Sequence, residues 1–331
     1  MIKRIYVIIF LFFFGIMYIH ALGKMEEQYH RKKLEQYPIT VAPISLGSGI
    51  LHDYVFLDTD RLIMIEAPKL TEINLSTGKQ KIIETPVEWP ERRTFRNLQY
   101  DRVSNSIHLI LVVNEAIRTY HILHLDDYSW ESVEELGSGI LGFYYDSKNM
   151  LIYVHNLITY EAFERKTYRY GITTYDFNKR EIIDDGELPE KTMIYIYCIY
   201  GNPPKILAQN LNQINKNIHF LIYDITTRTH IDYLESDIFY GFNSSSYLEE
   251  CVPVNEEGSF LCVESRRKGI NYSIALVDFN ANTLEKTVLE DFPYVIYNLK
   301  QIAEGKYSFL VATRNWAGGD GQDFLCFLEY P

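Results

Sequence analysis

The sequence predicts an all-β fold, a six-bladed β-propeller over residues 38–331, preceded by an N-terminal hydrophobic helix. Three observations predict it. The 331-residue chain is rich in aromatics, with 27 Tyr and 18 Phe, and such side chains favour a pleated, half-buried surface. An apolar–polar–apolar triplet, followed by a turn and a short strand, recurs along the chain at intervals near fifty residues. That interval is the length of one four-stranded blade. The last triplet ends close to the C-terminus, so the final blade is one strand short, and a spare strand-like segment stands near the N-terminus to complete it.

Residues 1–23 open with Lys3 and Arg4 and continue as an apolar run from Ile5 to Leu22. A run of that kind is a signal-anchor or transmembrane segment. Cleavage after Ala21-Leu22-Gly23, with secretion, is the alternative. The two leading cations favour a cytoplasmic N-terminus and a body outside the cytoplasm, periplasmic or extracellular. Residues 24–37 (KMEEQYHRKKLEQY) are charged and helix-permissive. They are expected to form a stalk ended by Pro38.

The triplets are Ile73-Asn74-Leu75, Leu123-His124-Leu125, Tyr175-Asp176-Phe177, Tyr223-Asp224-Ile225, Val277-Asp278-Phe279 and Leu328-Glu329-Tyr330. Their central residues are separated by 50, 52, 48, 54 and 51 positions. The third unit divides into four strands: 142–145, 150–155, 170–177 and 181–185. Turn residues separate the first two strands of the units, as in Asp58–Arg61 (DTDR), Asp146–Asn149 (DSKN) and Asn255–Gly258 (NEEG). A single four-stranded blade cannot bury both faces, but blades around an axis bury each other.

The sixth unit has a third strand and no fourth. Ile39–Leu46 (ITVAPISL) is expected to supply it and to close the ring, removing two open edges at once. The hexapeptide LGSGIL occurs at Leu46–Leu51 and again at Leu136–Leu141. Each copy stands between an outer strand and an inner one. We read it as a joint between blades, since glycine reaches backbone angles that such a crossing needs. It lacks the G-x-S-x-G form of a nucleophile elbow.

In repeat length and strand pattern the chain resembles six-bladed extracytoplasmic propellers. It carries no WD or kelch signature, so the resemblance implies the fold alone, and no functional residues follow from it.

Formal net charge is −12. Residues 1–37 hold six Lys/Arg and three Asp/Glu, which leaves 26 minus 41, or −15, for the rest. So acidic a body repels phosphate backbones, and nucleic acid is excluded as a partner. No phosphate-loop, H-E-x-x-H or other catalytic motif is present, and no catalytic residue or cofactor is assigned. His121 and His124 fall on opposite faces of a strand. Asp320 and Asp323 lie on a Gly-rich stretch, but two carboxylates without a closing Glu fall short of a calcium site. Cys251 and Cys262 flank the Asn255–Gly258 turn symmetrically, which sets them opposite one another within disulfide range. Two buried thiols are the alternative. Cys198 and Cys326 are expected as unpaired core residues.

The connections between second and third strands are long in units three to six: 156–167, 210–217, 264–272 and 314–323. Long loops on a rigid scaffold are where binding residues collect. These carry Tyr160, Phe163, Arg165, Arg266, Arg267 and Trp316, of the types that anchor interfaces. The expected function is a membrane-anchored, non-catalytic protein-binding module, either a component of an envelope assembly or an immunity-type inhibitor of a toxin. A hydrolase or lactonase with a site in the central channel is the alternative, with Asp53, Asn97 and Asn298 as its inner-strand polar residues. A glycan-binding surface built on tyrosines is a third reading.

Overall fold

The computed structural model describes residues 24–43, 51–66, 68–90, 93–114, 117–162, 165–188, 193–212, 217–234, 246–255, 258–266, 271–278, 285–313 and 323–330. The chain is an all-β propeller built of six four-stranded antiparallel sheets. A short strand β1 (Thr40–Val41) precedes the first sheet. That sheet holds β2 (Leu51–Phe56), β3 (Arg61–Glu66), β4 (Lys69–Asn74) and β5 (Gln80–Ile83). The second holds β6 (Thr94–Asp101), β7 (Ser106–Val112), β8 (Arg118–His124) and β9 (Trp130–Ser132). The third holds β10 (Ile140–Asp146), β11 (Leu151–Ala162), β12 (Arg165–Asp176) and β13 (Glu181–Glu187). The fourth runs β14 (Met193–Tyr200), β15 (Lys205–Asn212), β16 (Asn217–Asp224) and β17 (Thr229–Leu234). The fifth runs β18 (Ser246–Pro253), β19 (Ser259–Arg266), β20 (Asn271–Asp278) and β21 (Glu285–Phe292). The sixth runs β22 (Val295–Ala303), β23 (Lys306–Ala312) and β24 (Asp323–Glu329), with β1 as its fourth member.

The triplets noted in the sequence end the third strands, and hydrogen bonding explains why they recur. The Asn74 and Asp176 side chains accept backbone N–H groups of the turn that follows, from Thr77 and from Asn178 and Lys179. Asp224 does the same for Thr226 and Thr227. The apolar residue after each polar one sends its N–H back to the turn between the first two strands. Leu75 bonds Asp60, Leu125 bonds Asn105, Phe177 bonds Met150, Ile225 bonds Pro204 and Tyr330 bonds Gly305. Four residues after the polar centre the chain enters the left-handed region, at Gly78, Tyr128, Arg180 and Arg228. In the first, third and fourth sheets a short polar side chain thus satisfies turn N–H groups.

Burial follows the ring. Apolar side chains form six clusters, each shared by two consecutive sheets. Ile63 and Ile65 of the first sheet pack with Phe95 and Leu109 of the second. The last cluster joins Leu310 and Leu325 of the sixth sheet to Tyr54, Leu62 and Ile73 of the first. The first strands β2, β6, β10, β14, β18 and β22 neighbour one another in the same cyclic order.

β1 pairs antiparallel with β24, Thr40 opposite Phe327 and Val41 opposite Cys326. Ala42 extends the pairing by donating to Leu325 O at 2.8 Å. The expected strand over 39–46 is therefore shorter where it is described, and residues 44–46 lie outside the described residues. In the second LGSGIL copy, Gly137 and Gly139 both have positive φ, 67° and 94°, between the one-turn helix Glu134–Leu136 and β10. The first copy, apart from Leu51, lies outside the described residues.

The segment expected as a stalk is helical over 24–34 and lies on the sixth sheet. Leu34 is fully buried in the cluster of Phe292, Val295, Tyr307 and Phe324. Arg31 donates to Ala42 O and stands over the Phe324 ring. Among the described residues no helix is long and apolar enough to cross a membrane. The apolar run Ile5–Leu22 lies outside them.

Candidate functional site

The inner polar residues come together as an inter-sheet lock. Every first strand holds one extra residue relative to its second strand, and that of the sixth sheet two, so a bulge interrupts each ladder. Bulges release backbone N–H groups from the ladder, and side chains of the preceding sheet take them up. Glu250 of the fifth sheet accepts Asn298 N–H at 2.9 Å and Leu299 N–H at 2.6 Å from the sixth. Lys300 of the sixth reaches Asp53 Oδ1 of the first at 2.5 Å. Asp53 Oδ2 accepts Leu98 N–H of the second at 2.9 Å. Gln99 of the second both accepts from Tyr145 N–H and donates to Tyr145 O of the third. Asn97 and Asn298 occupy the bulges with φ of 55° and 54°.

This arrangement decides what the inner acids do. Asp53 receives two N–H groups and an ammonium, and both Glu250 oxygens receive N–H groups. Burial, the largest cause, raises the Glu250 carboxyl, opposed by those N–H groups. Each of these carboxylates is engaged in joining sheets. Sequence reasoning singled out Asp53, Asn97 and Asn298 but missed Glu250, Gln99 and Lys300, which lack any local signal.

The residues expected to bind a partner fall largely beyond description. Phe163, Arg267, Trp316 and Asp320 lie outside the described residues. Tyr160 stands in β11, Arg165 in β12 and Arg266 in β19, all at the ends of strands that lead into connections. The connection at 156–167 is not a loop. β11 and β12 continue pairing from Leu157↔Tyr170 to Ala162↔Arg165, past the last partners in β10 (Ile140↔Asn156) and β13 (Gly171↔Glu187). Leu188 N–H still bonds Tyr170 O, so five residue pairs project beyond the sheet as a ribbon, a reach of about 17 Å. Asp323 begins β24 and is buried opposite Ala312, so it belongs to a strand and not to a cation loop. His121 is buried edge-on to Trp89, while His124 pairs with Glu131 at 3.2 Å. They serve different surroundings.

A cleft of about 310 Å³ opens between the second and third sheets. A chain of hydroxyls enters it. Ser104 Oγ lies 2.5 Å from Asp101 Oδ2 and 2.6 Å from Ser106 Oγ. Ser106 Oγ lies 3.3 Å from His108 Nε2, whose Nδ1 meets the Tyr120 hydroxyl. The carboxylate can only accept, which fixes the direction of the whole chain. Ser104 donates to Asp101, Ser106 to Ser104, His108 Nε2–H to Ser106, and Tyr120 to His108 Nδ1. Burial lowers His108 to about 4, in keeping with a neutral ring stacked 3.9 Å from Tyr145. The nitrogen facing Ser106 thus carries a proton and cannot take one, so this relay does not activate a serine for acyl transfer.

Cys251 and Cys262 are direct cross-strand partners, as expected. They are free thiols with sulfurs 2.9 Å apart. Cys198 packs against the same cluster, and Cys326 is buried in the sixth sheet.

No family model and no curated protein matches the chain. Solved structures do. TolB of Acinetobacter baumannii is similar at 11% identity and a TM-score of 0.48, over 82% of this chain and 65% of TolB. A Pyrococcus horikoshii acylaminoacyl peptidase is similar at 12% identity and 0.50, over 83% of this chain and 50% of the peptidase. An oligogalacturonate lyase solved with manganese is similar at 9% identity and 0.51, over 89% of this chain and 97% of the lyase. The likeness is one of fold. This chain spans less than two thirds of TolB and half of the peptidase.

Proposed function

We propose that this protein is a membrane-anchored, six-bladed propeller that acts outside the cytoplasm as a non-catalytic protein-binding module. Residues 5–22 serve as the anchor, and the ends of the second and third strands form the binding face. The observation that carries the reading is the β11–β12 ribbon, which extends beyond its sheet with Tyr160 and Arg165 in its paired strands. A two-stranded ribbon outside a sheet offers unpaired backbone groups along its edges, and such edges pair readily with another chain. The inner acids support the same reading, because they are occupied in joining the sheets.

Two partner classes fit, a component of an envelope assembly and a toxin held by an immunity-type inhibitor. Affinity capture by the full chain from envelope extracts, read by mass spectrometry, distinguishes them. A variant with residues 157–170 replaced by a tight turn is the control. The reading expects a partner captured by the parent and lost with the ribbon. Identical captures by parent and variant would refute it.

A further inference from the structure

In two sheets the left-handed residue of the third-to-fourth-strand turn ties its sheet to the preceding one. Tyr128 of the second sheet donates to Glu72 of the first at 2.8 Å, and Lys81 of the first lies over its ring. Arg228 of the fourth sheet pairs with Asp184 of the third. The equivalent residue of the third sheet is Arg180, with φ of 56°. It lines a cleft of about 310 Å³ together with Glu131 of the second sheet and Glu135 of the one-turn helix that leads to the third. Among the described residues Arg180 has no ion-pair partner and neither has Glu135, while Glu131 is held by His124. Here the tie is left open.

The open tie has a defined chemistry. The Arg180 guanidinium and the Glu135 carboxylate both line the cleft, exposed to solvent and with no ion-pair partner among the described residues. Tyr175 and Phe177, 5.1 Å apart and edge to face, form an aromatic wall of the cleft. Ser104 Oγ also lines the cleft, its proton donated to Asp101. Burial chiefly, and then Glu135, raise the Tyr175 phenol, while Arg180 lowers it, so both charges act on the same wall. A cavity of this volume suits a small molecule and little more.

We propose that the cleft binds a small zwitterion of the α-amino-acid type, its carboxylate on Arg180, its ammonium at Glu135 and its side chain against Tyr175 and Phe177. Such a ligand completes the tie that Tyr128 and Arg228 make directly elsewhere. A simple anion or amine satisfies only one wall, and a neutral sugar satisfies neither charge.

Calorimetric titration of the full chain tests this, with L-leucine, N-acetyl-L-leucine, L-leucinamide and N-acetylglucosamine as probes. The two leucine derivatives also stand for the free ends of a peptide. The expected result is binding of L-leucine at least tenfold tighter than either derivative. Arg180→Gln and Glu135→Gln should each weaken it tenfold or more. Both residues are exposed, so both variants should keep the parent melting temperature. Four results would overturn the proposal: no heat with L-leucine, equal binding of leucine and leucinamide, tighter binding of the sugar, or unchanged affinity in Arg180→Gln.

Discussion

Lys300 of the sixth sheet and Asp53 of the first are joined at 2.5 Å, and this contact spans the point where the ring begins and ends. Lys300 also lies 3.4 Å from Leu98 O in the second sheet and over the Tyr54 ring. Its loss leaves Asp53 buried with two N–H donors and no counter-charge. Breaking one side of such a pair typically costs roughly 3–5 kcal/mol. Lys300→Met should therefore lower stability by several kcal/mol, read as a shift in the urea midpoint. The double variant with Asp53→Asn should lose less than the sum of the two single changes. Additive losses would mean that the two residues act independently.

Acid should weaken the fold before it protonates most carboxylates. Burial lowers His108, His121 and His155 each to about 4, against an ordinary value of 6.5. The unfolded chain then binds more protons than the native one between those values. The stability these rings provide is full above about 6.5 and lost as the pH falls towards about 4. Each can contribute up to about 1.4 kcal/mol per pH unit within the window. Glu250 is raised and acts with the opposite sign, so the informative quantity is a difference between proteins. Among the described residues His155 Nε2 has no hydrogen-bond partner, which makes His155→Leu a clean probe. Its denaturation midpoint should fall less steeply between pH 7 and pH 5 than that of the parent. Parallel pH profiles would remove His155 from this account.

Oxidation should join Cys251 to Cys262 and no other pair. They are cross-strand partners with adjacent sulfurs. With oxidised glutathione as acceptor, the two thiols lose two protons and two electrons, and the reagent becomes two molecules of glutathione. Burial raises the Cys251 thiol well above its ordinary value, which keeps the thiolate scarce and makes the reaction slow. A thiol assay in denaturant should fall from four groups to two, matching the four free cysteines. The eleven-residue separation predicts a gain of about 3 kcal/mol in the chain-entropy model. In Cys251→Ala the count should stay at three after the same treatment.

Local chemistry made part of this molecule legible in its sequence. The triplets centred on 74, 176 and 224 stand out because an Asx side chain there satisfies turn N–H groups close by in the chain, while the second sheet has His124 at the same place. The Cys251–Cys262 register is legible for the same reason, since a short turn fixes it. The sheet-to-sheet lock is not. Glu250 meets Asn298 across 48 residues and Lys300 meets Leu98 O across 202, and only the closed ring brings them together. The β11–β12 ribbon was also hidden, because its two strands pair only with each other there and leave no echo in the other units. Arg180 had no signal of its own. Unlike Tyr128 and Arg228, it meets no partner on the preceding sheet among the described residues.

The N-terminal segment should prove part of the fold and not a tether. Two separate devices bind it to the sixth sheet. Leu34 fills a gap among Phe292, Val295 and Tyr307, and β1 covers the outer edge of β24. Their loss should have different consequences, with a chain beginning at residue 24 as the reference. Emptying a fully buried leucine site costs about 2–5 kcal/mol, so Leu34→Ala should lower the melting temperature while the protein stays monomeric. A chain beginning at residue 38 should resemble it, since β1 remains. A chain beginning at residue 44 loses β1 as well. It bares β24 along Phe327 and Cys326, and an open edge recruits other strands. That truncation should associate on size-exclusion chromatography in proportion to its concentration. A monomeric chain from residue 44, as stable as the reference, would show that the ring closes without its N-terminal strand.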